Sequence, residues 1–199
     1  ISYYGIGFLA RRSYNNGFYY EGSLHYGKTE SSYNSNDLSG VSNEYYDMKT
    51  PYYGINFEIG KTKQLNANAA FDIYGEYFYT RENGDSAVLS SGETYDFDSI
   101  ASNRVRIGTR YTRQYGSEHE LYAGAAYEYE FSGNASASYD GYVIPNSSLK
   151  GGSGMFELGY KIYTPTANAK RPVSLDLSLT GWVGKKEGVM PKVTARWYI

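Results

Sequence analysis

Apolar and polar residues alternate with a period of two along nearly the whole chain, and no stretch shows a convincing helical period. Between Glu120 and Phe131, the residues Leu121, Ala123, Ala125, Tyr127, Tyr129 and Phe131 share one face of an extended strand, and Glu120, Tyr122, Gly124, Ala126, Glu128 and Glu130 share the other. Val105, Ile107, Thr109 and Tyr111 likewise oppose Arg104, Arg106, Gly108 and Arg110. Farther on, Val173, Leu175, Leu177, Leu179 and Val183 oppose Ser174, Asp176, Ser178, Thr180 and Trp182. The pattern predicts nine strands, over residues 1–12, 18–32, 46–62, 66–82, 99–113, 119–133, 151–164, 172–185 and 189–199.

The connections differ in length. Residues 13–17 and 114–118 are tight, whereas 33–45, 83–98 and 134–150 are long and rich in Ser, Asn, Gly and Asp. Short turns on one rim and long loops on the other are what the periplasmic and extracellular ends of a membrane barrel require. Residues 164–172 are long for the short rim, and 186–188 are short for the long rim.

Alternation alone does not say which face points inward. A soluble barrel keeps its apolar face inside, and a membrane barrel turns it out to lipid around a polar lumen. The long strands favour the second arrangement. So do the tyrosines near strand ends (Tyr3 and Tyr4, Tyr19 and Tyr20, Tyr52 and Tyr53, Tyr77 and Tyr79, Trp197 and Tyr198), which are expected to form interfacial girdles. Opposite charges also share the polar face, with Arg104, Arg106 and Arg110 near Glu128 and Glu130. Together with Glu157 and Asp176 they form the expected lumen charge network. The fold class read from the chain is all-β: a transmembrane antiparallel up-and-down barrel occupying residues 1–199 as a single domain.

Composition narrows the picture. Aromatics are 18% of 199 residues, with 25 Tyr, yet mean hydropathy is −0.58, so no run approaches the roughly 20 apolar residues of a membrane helix. The net charge of −2 and the lack of a basic block argue against nucleic-acid binding. Without cysteine there is no disulfide, thiolate ligand or thiol nucleophile. The first residues, ISYYGIGFLARRS, lack the features of a signal peptide, so the expectation is a mature piece or a fragment.

Four segments carry a family resemblance: YDFDSIASNRVRIGTRYT from Tyr95, ELYAGAAYEYEFSGNASASYDG from Glu120, SLKGGSGMFELGYKI from Ser148 and, above all, SLDLSLTGWVGKKEGV from Ser174. In order and spacing they resemble the β-domain of autotransporters, the type V secretion proteins. The first half is similar only in its strand pattern. The resemblance implies a translocator barrel of twelve strands in the bacterial outer membrane, which anchors an N-terminal passenger and helps carry it to the cell surface, with a linker helix threading the lumen. Against that pattern the sequence holds about nine strands, shows no linker helix or passenger, and ends in Ile199 where the family usually has Phe.

In the terminal strand, Val193, Ala195, Trp197 and Ile199 face one way and Lys192, Thr194, Arg196 and Tyr198 the other. The resemblance makes Val193, Ala195, Trp197, Tyr198 and Ile199 an assembly signal read by the barrel assembly machinery through β-augmentation. Other expected partners are outer-membrane lipid and lipopolysaccharide, and a missing upstream passenger and linker or another barrel chain at an open edge. That edge follows from parity. If Ile199 ends at the periplasmic rim, the ninth strand and the first both descend, and an even-stranded barrel cannot close from such a set. The first and last strands are then not simply paired with each other, because lipid does not tolerate an open edge.

Chemistry has little support. His25 and His119 lie in different strands with no metal-binding spacing, so no metal or cofactor is expected. A hydrolase would need His25 with a nearby Ser, Asp or Glu at the outer rim. Self-cleaving members of the family use lumen acids on the linker, but no catalytic residue is assigned here. Asp96 and Asp98 are too few for calcium. Asn134 and Asn146 begin glycosylation sequons of little meaning on a bacterial surface. Gly151, Gly152 and Gly154 lack the following helix and Lys of a phosphate loop and ease a strand start or bulge instead. The reading is therefore not an enzyme, and the alternative is a small closed porin or adhesin barrel.

Overall fold

A computed structural model describes residues 1–35, 44–163 and 173–197. In chain order the strands are β1 (Ser2–Ser13), β2 (Phe18–Ser35), β3 (Glu44–Asn66), β4 (Ala69–Glu82), β5 (Asp85–Val88), β6 (Thr94–Phe97), β7 (Ile100–Tyr115), β8 (His119–Glu130), β9 (Asn134–Tyr139), β10 (Tyr142–Ser148), β11 (Gly151–Tyr163), β12 (Val173–Gly184) and β13 (Gly188–Trp197). Nine of them form one antiparallel sheet in the order β1-β2-β3-β4-β7-β8-β11-β12-β13. These are the nine that the alternation predicts. β1 and β13 stand at opposite edges, with no pairing between them among the described residues.

The sheet is curled, since Arg11 of β1 and Arg196 of β13 line one cavity of about 510 Å³. Its convex side carries the apolar set: Ile107 is 64% exposed and Phe156 60%, and Phe57, Ile59, Leu158, Leu177, Leu179 and Val193 are exposed beside them. The concave side holds the charge, with Glu128 only 3% exposed and Glu130 6%. In water this arrangement would be inside out, and in lipid it is the stable one.

Along the convex face, charge stops at two levels among the described residues. Lys28, Glu30, Asp47, Lys49 and Arg81 mark one end, and Arg12, Lys61, Lys63 and Arg113 the other. On β3 the uncharged stretch lies between Lys49 and Lys61, twelve positions apart (61 minus 49), or about 40 Å along a strand. A tilt of about 40° reduces this to about 30 Å, close to the apolar band of outer-membrane barrels.

Rings border the band, though not as the tyrosine doublets suggest. Neighbours in a strand point to opposite sides, so only one of each adjacent pair reaches lipid. Tyr4, Tyr20 and Tyr53 are convex, while Tyr19 is buried on the concave side and Tyr52 lies over Gly27 there. Tyr77 is convex but sits within the band, opposite Phe57 and Val105.

The long connections 83–98 and 134–150 are ordered as strands and fold into a second, four-stranded sheet in the order β10-β9-β6-β5. At the same rim, residues 44–51 of β3 run past the last β4 partner while staying paired with residues 28–35 of β2. The small sheet packs on the concave side of this ribbon: Phe97 meets Tyr46 at 5.9 Å, and Tyr46 stacks on Tyr33 at 5.5 Å. Ala87 is 1% exposed, and Leu89 is buried too. Glu44 accepts hydrogen bonds from Ser90 Oγ, Ser91 N and Ser91 Oγ at 3.1–3.3 Å and so clasps the β5–β6 turn. The Ser86 and Ser136 hydroxyls donate to Asp96 and Asp98.

The inverted burial gives a direct check. Leu177→Arg places a cation in the apolar band and is expected to lower unfolding free energy in lipid vesicles by about 2–4 kcal/mol. Ser178→Arg, on the concave face, is expected to be tolerated. Equal losses in a urea titration would reverse the assignment of faces.

Candidate functional site

The concave face is built from cross-strand rows. Arg11, Glu21, Glu58, Glu76, Arg106 and Glu128 lie directly opposite one another in sequence across β1, β2, β3, β4, β7 and β8. Within the row Arg106 is the hub: its Nη1 donates to Glu76 at 3.0 Å, and its Nε and Nη2 donate to Glu128 at 3.1 and 2.6 Å. Arg104 Nη1 donates to the other Glu128 oxygen at 3.3 Å, and Lys186 Nζ approaches that oxygen at 3.7 Å. Arg104 and Arg106 also stack on the Phe78 ring, at 4.9 and 4.6 Å.

Arg110 and Glu157 belong to strands that are not neighbours, yet they form a two-point pair at 2.5 and 3.0 Å. The residue between them in register is Gly124. A methyl group added there would come within 2.6 Å of the Glu157 carboxylate, so the bridge passes over a position that has no side chain. Rings use the same device. Tyr19 lies on Gly60 and Tyr74 on Gly108, each so close that a Cβ on the glycine would be 2.5 Å from the ring.

The remaining residues of the expected charge network have different partners. Glu130 comes within 3.6 Å of Arg104 Nε, but its hydrogen bonds are from Ser102 Oγ, Asn103 N, Ser132 N and Ser132 Oγ at 2.6–3.3 Å, which tie down the ends of β7 and β8. Asp176 accepts from the Tyr122 hydroxyl at 2.9 Å.

Several members are absent from the sequence reading. Glu76 joins Arg106 because β4 flanks β7, while Lys161 donates to Glu120 at 3.0 Å and the Tyr19 hydroxyl lies 2.8 Å from both Glu58 and Asp72. The alternation of Asp72, Tyr74, Glu76 and Phe78 was the available signal for the β4 contribution.

His25 is on the concave side against Tyr52, and His119 is at the far rim, with Nδ1 2.8 Å from the Tyr160 hydroxyl. They cannot share a site. Of the terminal residues, Val193, Ala195 and Trp197 are convex, opposite Leu177, Leu175 and Val173. Tyr198 and Ile199 lie outside the described residues.

Because Arg106 holds two acids, Arg106→Glu sets three carboxylates side by side. Breaking a buried pair costs about 3–5 kcal/mol, and water in the lumen reduces this. The variant is expected to lose its heat-resistant gel mobility at a lower temperature than the parent, and Arg106→Glu combined with Glu128→Gln is expected to recover part of the difference.

A family model described as the autotransporter β-domain matches residues 1–168. The match takes in β1 to β11 and ends before the segment from Ser174, so the first half, similar to the eye only in strand pattern, supports it too. Comparison with curated proteins finds no match. With its inverted sheet and this match over most of its length, the chain belongs to the autotransporter β-domain family, the outer-membrane translocator barrels of Gram-negative bacteria.

Proposed function

We propose that this domain anchors a passenger in the outer membrane and helps move it to the cell surface, with the connecting segment passing along the charged concave face. The observation that carries the reading is the polar cavity of about 510 Å³, which is lined from β1 to β13 and backed by an apolar convex surface. The lining pairs most of its charges internally, so a passing polypeptide meets a wetted wall with little net attraction to hold it. A twelve-stranded barrel would need three strands besides these nine, and they would cover the outer edges of β1 and β13, which have no partner strand among the described residues and which lipid cannot satisfy. During insertion the barrel assembly machinery takes hold of β13 by strand pairing, reading Val193, Ala195, Trp197, Tyr198 and Ile199. The domain is not an enzyme in this reading. A small closed porin or adhesin would instead need β1 hydrogen-bonded to β13.

The test uses the full-length protein with an epitope upstream of Ile1, expressed in intact cells. Externally added protease is expected to remove the epitope. A photo-crosslinker at Thr180, on the concave face, is expected to capture the epitope-bearing segment, and one at Leu179, on the convex face, is not. An epitope that stays protected behind a correctly folded barrel, or equal capture from both positions, would sink the proposal.

A further inference from the structure

At the rim of short turns, the convex side of β1, β2, β3, β4 and β7 carries Arg12, Lys61, Lys63 and Arg113. All four are exposed, and none has a carboxylate partner among the described residues. The other convex strand positions at this end, Ala10, Phe18, Tyr20, Leu65, Ala69, Phe71, Tyr111 and Tyr115, are uncharged, and the short turns of these strands hold a single acid, Glu118 between β7 and β8, among the described residues. Arg12 lies over the Tyr14 ring at 5.3 Å and Arg113 over the Tyr115 ring at 5.4 Å. Rings at the edge of an apolar band mark the headgroup level, and the cations are therefore set at the height of lipid phosphates.

Among the described residues, the other half of the sheet lacks this feature. At the same end β8, β11, β12 and β13 present His119, Tyr160, Ile162, Val173 and Trp197 on the convex face, with no Lys or Arg among the described residues. The opposite rim is different again, because there Lys49 is paired with Glu30 and Arg81 donates to Ser99 Oγ at 3.0 Å. We propose that the convex short-turn rim of β1, β2, β3, β4 and β7 is a binding surface for anionic phospholipid headgroups, with Lys61, Lys63 and Arg113 as its principal contacts. Charge complementarity and the adjoining acyl-chain surface select a phospholipid over a soluble anion. Given the outer-membrane orientation of the family, this rim faces the inner leaflet.

The full-length protein, reconstituted in vesicles of equal parts phosphatidylglycerol and phosphatidylcholine, is extracted in mild detergent and its retained lipid is counted by native mass spectrometry. The parent is expected to retain phosphatidylglycerol at least fivefold over phosphatidylcholine. Lys61→Gln/Lys63→Gln/Arg113→Gln is expected to abolish the preference, and Lys28→Gln/Arg81→Gln to leave it in place. Heat-resistant gel mobility reports whether each variant has folded. Should the triple variant not fold, Lys63→Gln alone is expected to reduce the preference, and high salt to abolish it in the parent. No preference in the parent, a preference kept in the folded triple or, where only it folds, single variant, or equal loss in the control variant would overturn the proposal. Inorganic phosphate that displaces the lipid well beyond chloride of equal ionic strength would overturn it too, as a free-anion site. Both leaflets of these vesicles are alike, so the outcome does not depend on the barrel's orientation or on passenger transport.

Discussion

A strand that crosses a bilayer has to place every charge on one side, and the side away from lipid must then find partners for all of them. This constraint organises the sheet. Because side chains alternate strictly, a slip of one residue between β7 and β8 would swing Arg104, Arg106 and Arg110 into the apolar band together. Backbone ladders alone are indifferent to such a slip. The register is held by which side chains face each other, above all by Arg106 between Glu76 and Glu128. The central run of Glu21, Glu58 and Glu76 shows the limit of pairing, since like charges stand opposite one another there and neutral groups such as Tyr19 and Asn56 supply hydrogen bonds.

The nine long strands are legible from alternation because lipid enforces it over ten or more residues at a time. The faces are legible too, once the direction of inversion is decided. Partnership across non-adjacent segments is not. The reading places the arginines of β7 against the acids of β8, the next strand in sequence, while half of Arg106's environment comes from β4. The Arg110 to Glu157 bridge depends on a missing side chain at Gly124, and glycine in a strand reads as a weakness until its neighbours are known. The tyrosine doublets mislead for a simpler reason: counting rings near strand ends ignores that consecutive residues diverge.

The outer-rim sheet escapes the reading because it obeys the opposite solvent rule. Beyond the lipid, apolar groups again turn inward, and Ala87, Leu89, Phe97 and Tyr46 make a small core of the ordinary kind. Its strands are short, from 4 to 7 residues, and rich in Ser, Asn and Asp, so their local signal matches that of a loop. One chain therefore contains two folding regimes, separated at the level of Lys28, Lys49 and Arg81.

The rings lying on glycines have a mechanical consequence. Where Tyr19 covers Gly60 and Tyr74 covers Gly108, a bulky group on one strand meets a bare backbone on the next, and the concave side is relieved of volume at that seam. Adjacent strands can then hinge toward the axis without crowding, as glycine positions let curved sheets do. The bend is thus a local property of pairs of strands and does not require the circle to be complete. A sheet whose first and last strands are not paired with each other among the described residues can still hold the arc of a cylinder.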